Sequence, residues 1–210
     1  MVWSRRPLLF RPSVLPPPLV SVRPFRWLAA ALGLSGAWSA SAQGEMKVTT
    51  NYYTVSANTP RELREALERA KPRKSLGTSD ARTEWNIQWT YHLVPGETGC
   101  QLRSLETKTT ITITLPKWDY GPEAQPGMEQ RWKDYLKALA KHEDGHRAIA
   151  ASAATEMHKR IHAIKETPTC DALAESIKKA ASETLSEFRA KDAQYDRKTG
   201  HGATQGARLF

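Results

Sequence analysis

The sequence predicts an α+β domain: a small, mainly antiparallel sheet followed by two long helices. Three observations carry this. Segments rich in β-branched and aromatic residues, two of them alternating apolar and polar side chains, occupy the chain up to residue 115. From Met128 on, apolar residues recur every three or four positions. A proline-containing loop at Pro168 divides that helical part in two.

A leader precedes the domain. Residues 1–42 carry Arg5, Arg6, Arg11, Arg23 and Arg26 and no acidic residue, then an apolar run from Trp27 to Trp38, then Ala40-Ser41-Ala42. A basic start, a short apolar core and a small-x-small site read as a secretory signal peptide, too short to span a bilayer comfortably. Cleavage there makes 43–210 the mature domain, periplasmic or secreted, with no membrane span. Loss of the five leader arginines lowers the formal charge from +9 to +4. That modest charge gives little reason to propose nucleic-acid binding. Cys100 and Cys170 both lie in the exported part, without C-x-x-C spacing, and an oxidising compartment joins them as one disulfide.

The elements follow in order. Val48 to Val55 reads as a strand. Asn58-Thr59-Pro60 opens a helix whose apolar positions are Leu63, Leu67 and Ala70, and Pro72 stops it. Glu84 to Val94 is a strand with Trp85, Ile87, Trp89, Tyr91 and Leu93 on one face. Pro95-Gly96 turns the chain into a third strand, Cys100 to Leu115, with a wet threonine face and a buried Ile/Leu face, ended by Pro116. From Met128 to about Lys165, the positions Trp132, Tyr135, Leu136, Leu139, His142, His146, Ile149, Ala153, Met157, Ile161 and Ile164 form one helical stripe. Asp171 to about Lys191 is a second long helix, with Leu173, Ile177, Ala181, Leu185 and Phe188 as its stripe. The glycine-rich tail from Tyr195 to Phe210 reads as irregular.

The chemistry lies in the first long helix. Residues 142–146 read His142-Glu143-Asp144-Gly145-His146, or H-E-x-x-H. Residues i and i+4 share a helix face, so both imidazoles can reach one metal ion, and Glu143 stands beside them as a general base. This is the zincin arrangement, with zinc as the cofactor. Both histidines fall on the apolar stripe, where an unpartnered ring nitrogen is costly. A catalytic zinc needs a third protein ligand and an open position. His201, between two glycines, is one candidate; Glu175, Glu183 and Glu187 on the next helix, and Asp196, are others. His158 and His162 lie among basic residues, turned away from the ligand face, and His92 faces the polar side of its strand.

With H-E-x-x-H and the tail Tyr195-Asp196-x-x-Thr199-x-His201-Gly202-x-x-Gln205-Gly206 in hand, residues 47–207 resemble the bacterial predicted secreted zinc-dependent proteases, a family catalogued as a domain of unknown function. The resemblance implies a zincin-like fold, an exported zinc peptidase and a peptide or protein substrate. It also implies a role for His201, most simply as third ligand, with Tyr195 as an oxyanion donor and Asp196 as a second-shell partner. In zincin-like folds the strand before the metal helix is an edge that binds substrate as an added strand, which points to residues 107–115. Two other function classes stay open: a non-catalytic periplasmic zinc-binding or cell-envelope module, and a helical adaptor without metal. A closed four-ligand site would mark the first, and absence of bound metal the second.

Overall fold

The computed structural model describes residues 44–72, 76–77 and 79–209. The expected leader, 1–42, lies outside them. The elements are β1 (Glu45–Ser56), α1 (Pro60–Ala70), β2 (Arg82–Pro95), β3 (Cys100–Asp119), α2 (Met128–His162) and α3 (Cys170–Thr199), with a closing 3₁₀ turn at Ala203–Gln205. No helix among the described residues is long and apolar enough to cross a membrane.

The α+β class holds, with a mixed three-stranded sheet in the order β1-β3-β2. β2 and β3 form the expected antiparallel hairpin, with Trp85 opposite Ile111. β1 lies parallel to β3 on its other side, with Val48 opposite Ile111. β3 is therefore the central strand, paired on both sides through residues 108–114. This corrects the expectation that 107–115 is a substrate-binding edge, because a paired strand has no free backbone groups to offer. Strand order is a non-local property, and the alternation within a strand carries no trace of it.

Pro116 does not end β3. Pairing with β2 stops at Thr114, whereas pairing with β1 runs on to Asp119. Beyond Thr114 the strand is an edge on its β2 side, where a residue without an N–H is tolerated. The helices cover one face of the sheet. Thr83, Trp85 and Ile87 of β2 and Thr107, Thr109 and Ile111 of β3 are buried there, while Glu84, Asn86, Gln88 and His92 face out.

α1 starts with a capping box: the Thr59 side chain accepts from Glu62 N, and the Glu62 carboxylate accepts from Thr59 N. α2 carries two hydrophobic clusters along its length. Met128, Trp132, Tyr135 and Leu139 pack with α1, β1 and the end of β3. Ala150, Ala153, Met157 and Ile161 pack with β2, β3 and α3. Between the two clusters lie His142, Glu143 and His146 (2%, 2% and 5% exposed).

α3 is longer than the sequence reading allows. It runs to Thr199 and is capped by Gly200 in the left-handed region, φ 55°. Residues 190–199 contain neither glycine nor proline, so nothing stops the helix before Gly200. Its first residue, Cys170, is bonded to Cys100 at the start of β3. The disulfide fastens the N-terminus of α3 to the sheet. Closing a 70-residue separation stabilises the fold by about 4 kcal/mol in the chain-entropy model. The double variant Cys100→Ala/Cys170→Ala is expected to unfold at markedly lower denaturant concentration, read by circular dichroism. An unchanged midpoint, or two free thiols titrated in the unfolded, unreduced wild type, contradicts this.

Candidate metal centre

α2 and α3 build the centre between them. His142 and His146, one turn apart on α2, aim their Nε2 atoms at each other across 3.2 Å. Asp196, in the last turn of α3, sets Oδ1 at 3.1 Å from His142 Nε2 and 3.0 Å from His146 Nε2. Three potential ligand atoms thus form a near-equilateral triangle. A tetrahedral zinc with bonds of about 2.0–2.1 Å holds its donors about 3.3 Å apart. The donor set, two imidazoles and a carboxylate, and its spacing fit such an ion. Among the described residues these three form the group able to hold a metal.

The other ring nitrogens fix which atoms are free to bind. His146 Nδ1 lies 2.8 Å from Asp192 Oδ1. A carboxylate accepts, so Nδ1 carries the proton and Nε2 keeps its lone pair. His142 Nδ1 lies 3.0 Å from Gln205 Oε1 and 3.3 Å from Thr199 Oγ1. The Gln205 amide nitrogen in turn donates to Tyr195 Oη at 3.0 Å. With Nδ1 protonated and the ring neutral, each imidazole has an Nε2 lone pair to offer a metal ion. Orienting partners of this kind are what a metal-binding imidazole requires.

The tail residues each have a physical task. The Tyr195 ring stacks on His142, centroids 5.0 Å apart and 9° from parallel, and meets His146 edge-on at 5.0 Å. This close approach requires Gly145, since a Cβ there would collide with the Tyr195 phenol. Thr199 Oγ1 donates to Tyr195 O at 2.8 Å and stands next to His142 Nδ1. Gly200, His201 and Gly202 all have positive φ, and this left-handed turn folds the chain back over α2. A Cβ at Gly202 would stand 3.1 Å from His142 Cβ.

His201 is 63% exposed on its side chain and sets Nδ1 3.2 Å from Asp196 Oδ1, the same oxygen that faces the two imidazoles. The group that could hold a metal joins Asp196, rather than His201, to His142 and His146. The non-glycine left-handed φ of 51° at His201 costs roughly 1–3 kcal/mol, a strain typical of functional sites. Tyr195 also departs from its expected role as oxyanion donor. Its hydroxyl is engaged by Gln205 and its ring lies against Gly145, outside the lining of the cleft. The competing carboxylates lie elsewhere. Glu187 pairs with Arg160 and Lys191 at 2.6 and 2.7 Å, Glu183 with Lys179, and Glu175 with Lys178. The His158 and His162 rings meet at 4.3 Å, tilted by 46°, and His92 is exposed. Asp192 and Thr83 were not singled out by sequence, and Thr199 and Gln205 stood in the tail motif without an assigned contact. Asp192 and Asp196 repeat the i, i+4 spacing of the histidines, a signal that becomes legible once α3 is extended to Gly200.

Glu143 points to the open side. Thr83 Oγ1, from the edge strand β2, donates to Glu143 Oε2 at 2.7 Å and to its backbone carbonyl at 3.2 Å. One carboxylate oxygen is thereby held by the sheet. Burial raises the Glu143 carboxyl, against the Thr83 hydrogen bond and the His146 charge. Burial lowers the His142 imidazole, only partly offset by Gln205. At His146 burial again acts downward, but the Asp192 hydrogen bond and the charges of Asp192 and Asp196 outweigh it, and the ring is raised. His142, Glu143, His146 and Asp196 line a polar cleft of about 550 Å³, walled by residues 81–85 and by α3.

This geometry defines a class: a candidate metal centre made of a helix-borne histidine pair and a carboxylate from a second helix, opening on a cleft. The chain belongs to the family described as bacterial protein of unknown function (DUF922), whose model matches residues 50–202. The matched span covers His142, Glu143, His146, Asp192, Asp196 and His201. No curated protein and no solved structure matches the chain.

Two outcomes test the ligand set. Asp196→Ala is expected to weaken zinc binding more than His201→Ala or Asp192→Ala, whose loss as supporting partners costs about 10–100-fold. Competition with a chromogenic chelator measures this, and equal affinity of Asp196→Ala and wild type refutes the assignment. Gly145→Ala is expected to destabilise the fold by about 1–3 kcal/mol, because the added methyl displaces Tyr195. Chemical denaturation reads it, and a neutral effect contradicts the stacked placement of that ring.

Proposed function

We propose that this protein is an exported zinc-dependent metallopeptidase. The observation that carries the reading is the convergence of three donor atoms, His142 Nε2, His146 Nε2 and Asp196 Oδ1, with both rings held from behind at Nδ1, beside a buried Glu143 in an open cleft. Zinc in that place supplies Lewis acidity toward a peptide carbonyl and lowers the pKa of water. His142, His146 and Asp196 hold it, while Asp192, Gln205, Thr199 and His201 fix the orientation of those ligands. Glu143 takes a proton from the attacking water at its carboxylate and returns it to the leaving amine. Burial, which raises the Glu143 carboxyl, brings it closer to the working range of a general base. Thr83 keeps the carboxylate aimed.

The substrate strand belongs on β2, not β3. β2 is the outer strand of the sheet, and residues 81–85 wall the cleft. An extended peptide added to that edge would pass over Glu143. A purely structural zinc site is closed by four protein ligands, whereas the group here has three among the described residues. The Cys100–Cys170 disulfide is compatible with export.

Glu143→Gln is the test. The amide preserves shape but cannot accept the proton. Zinc content is expected to stay at the wild-type level while hydrolysis of a peptide mixture, followed by mass spectrometry, falls about 10²–10⁴-fold. Equal hydrolysis by the variant rules out this use of Glu143.

A further inference from the structure

Arg189 lies on α3 three residues before Asp192 and seven before Asp196, so all three share one helix face. Its guanidinium lies over the Trp85 indole, 3.8 Å from the ring centroid. Its Nη2 donates to the Trp85 carbonyl oxygen at 2.7 Å. Stack and hydrogen bond together fix the plane of the group at the wall of the cleft, where both residues stand. Of the other arginines that line the cleft, Arg64 is matched, with Asp80 at 2.9 Å and Glu68 at 3.6 Å, and Arg82 has an interaction of its own. Arg189 contacts only a ring and a carbonyl, and no carboxylate among the described residues forms an ion pair with it. The carboxylates near it are engaged elsewhere: Asp192 with His146, Asp196 with both imidazoles, Glu143 with Thr83. Glu84, beside Trp85, also lines the cleft but alternates to the other face of its strand, and it makes no ion pair with Arg189.

We propose that Arg189 is the anion receptor of this cleft and selects substrates bearing a carboxylate near the bond that is cut. The inference rests on the peptidase reading above. A guanidinium has five N–H donors, and one bond to Trp85 leaves a fork free for a carboxylate. Stacking on Trp85 holds that fork in place before substrate arrives, which lysine could not reproduce. The axial rise from residue 189 to 196 is about 10 Å at 1.5 Å per residue, which equals about three residues of extended chain. The selected carboxylate therefore lies within about three residues of the scissile bond. It comes either from an acidic side chain or from a free C-terminus.

Three fluorescein-labelled peptides of matched length separate these sources. One carries a glutamate and an amidated C-terminus, one a glutamine and a free C-terminus, and one a glutamine and an amidated C-terminus. Binding to the zinc-loaded Glu143→Gln protein is read by anisotropy. At least one carboxylate-bearing peptide is expected to bind about 10-fold or more tightly than the neutral one, as a charge-assisted pair allows. Whichever does so names the source. In the Glu143→Gln/Arg189→Gln protein that advantage is expected to vanish, with zinc content and circular dichroism unchanged; Glu143→Gln/Arg189→Lys is expected to keep only part of it. Equal binding of all three peptides, binding of none, or an advantage that survives Arg189→Gln overturns the proposal. Cleavage of the same peptides by the wild type is scored separately. A carboxylate preference in binding without cleavage keeps Arg189 as receptor and defeats the peptidase reading; cleavage without preference does the reverse.

Discussion

Two imidazoles on the buried stripe of one helix are the constraint on which the rest of this structure depends. Each ring carries two nitrogens, and burial leaves no water to satisfy them. α3 supplies what α2 lacks. Asp192 takes His146 Nδ1, Asp196 faces both Nε2 atoms, and Gln205, just beyond the helix, takes His142 Nδ1. The hydrophobic cluster on one side of this polar layer packs α2 against α3, and the one on the other side packs α2 against α1 and the sheet. The elements that hold both Nδ1 atoms are thus the ones that set Asp196 beside both Nε2 atoms.

α3 is secured at both ends by different chemistry. At its N-terminus a disulfide ties Cys170 to the start of β3. At its C-terminus three consecutive left-handed residues turn the chain back onto His142. Between these points Tyr195 sits in the space that Gly145 leaves open. The glycine inside the H-E-x-x-H segment is thus as much part of the site as the histidines, because it lets an aromatic ring brace both of them. β2 completes the assembly from the sheet side, with Thr83 on Glu143 and Trp85 beneath Arg189.

Local features were legible in the sequence, and non-local ones were not. The alternation of Trp85, Ile87 and Trp89, the stripe through His142 and His146, and the pairing of two lone cysteines all follow from spacing or from redox context, and the structure has them. Strand order does not follow from spacing. β1 lies parallel to β3, and the strand nearest the metal helix in sequence becomes the central one, paired on both sides through residues 108–114. The place of Asp196 beside the two imidazoles was hard to see for a related reason. Reading the tail as irregular from Tyr195 detached Asp196 from the helix that aims it and favoured His201, the more familiar ligand type. The residues from 190 to 199 contain no breaker, and the Asp192/Asp196 pair sits at the same four-residue spacing as the two histidines. Thr83 carries no such signal, since a hydroxyl that orients a neighbouring carboxylate looks in sequence like any polar surface residue; Thr199 and Gln205 stand in the tail motif, which does not say that they meet His142.

The function proposed here turns on one arrangement: two imidazoles from α2 and one carboxylate from α3 around a single zinc ion, with room left for water and substrate. X-ray absorption spectroscopy of the zinc-loaded protein reads that shell directly. The account predicts two imidazole nitrogens and light oxygen donors at about 2.0–2.1 Å, with the oxygen shell altered in Asp196→Ala and the imidazole count unchanged in His201→Ala. Three imidazoles around the metal, falling to two in His201→Ala while Asp196→Ala keeps the wild-type spectrum, would contradict it.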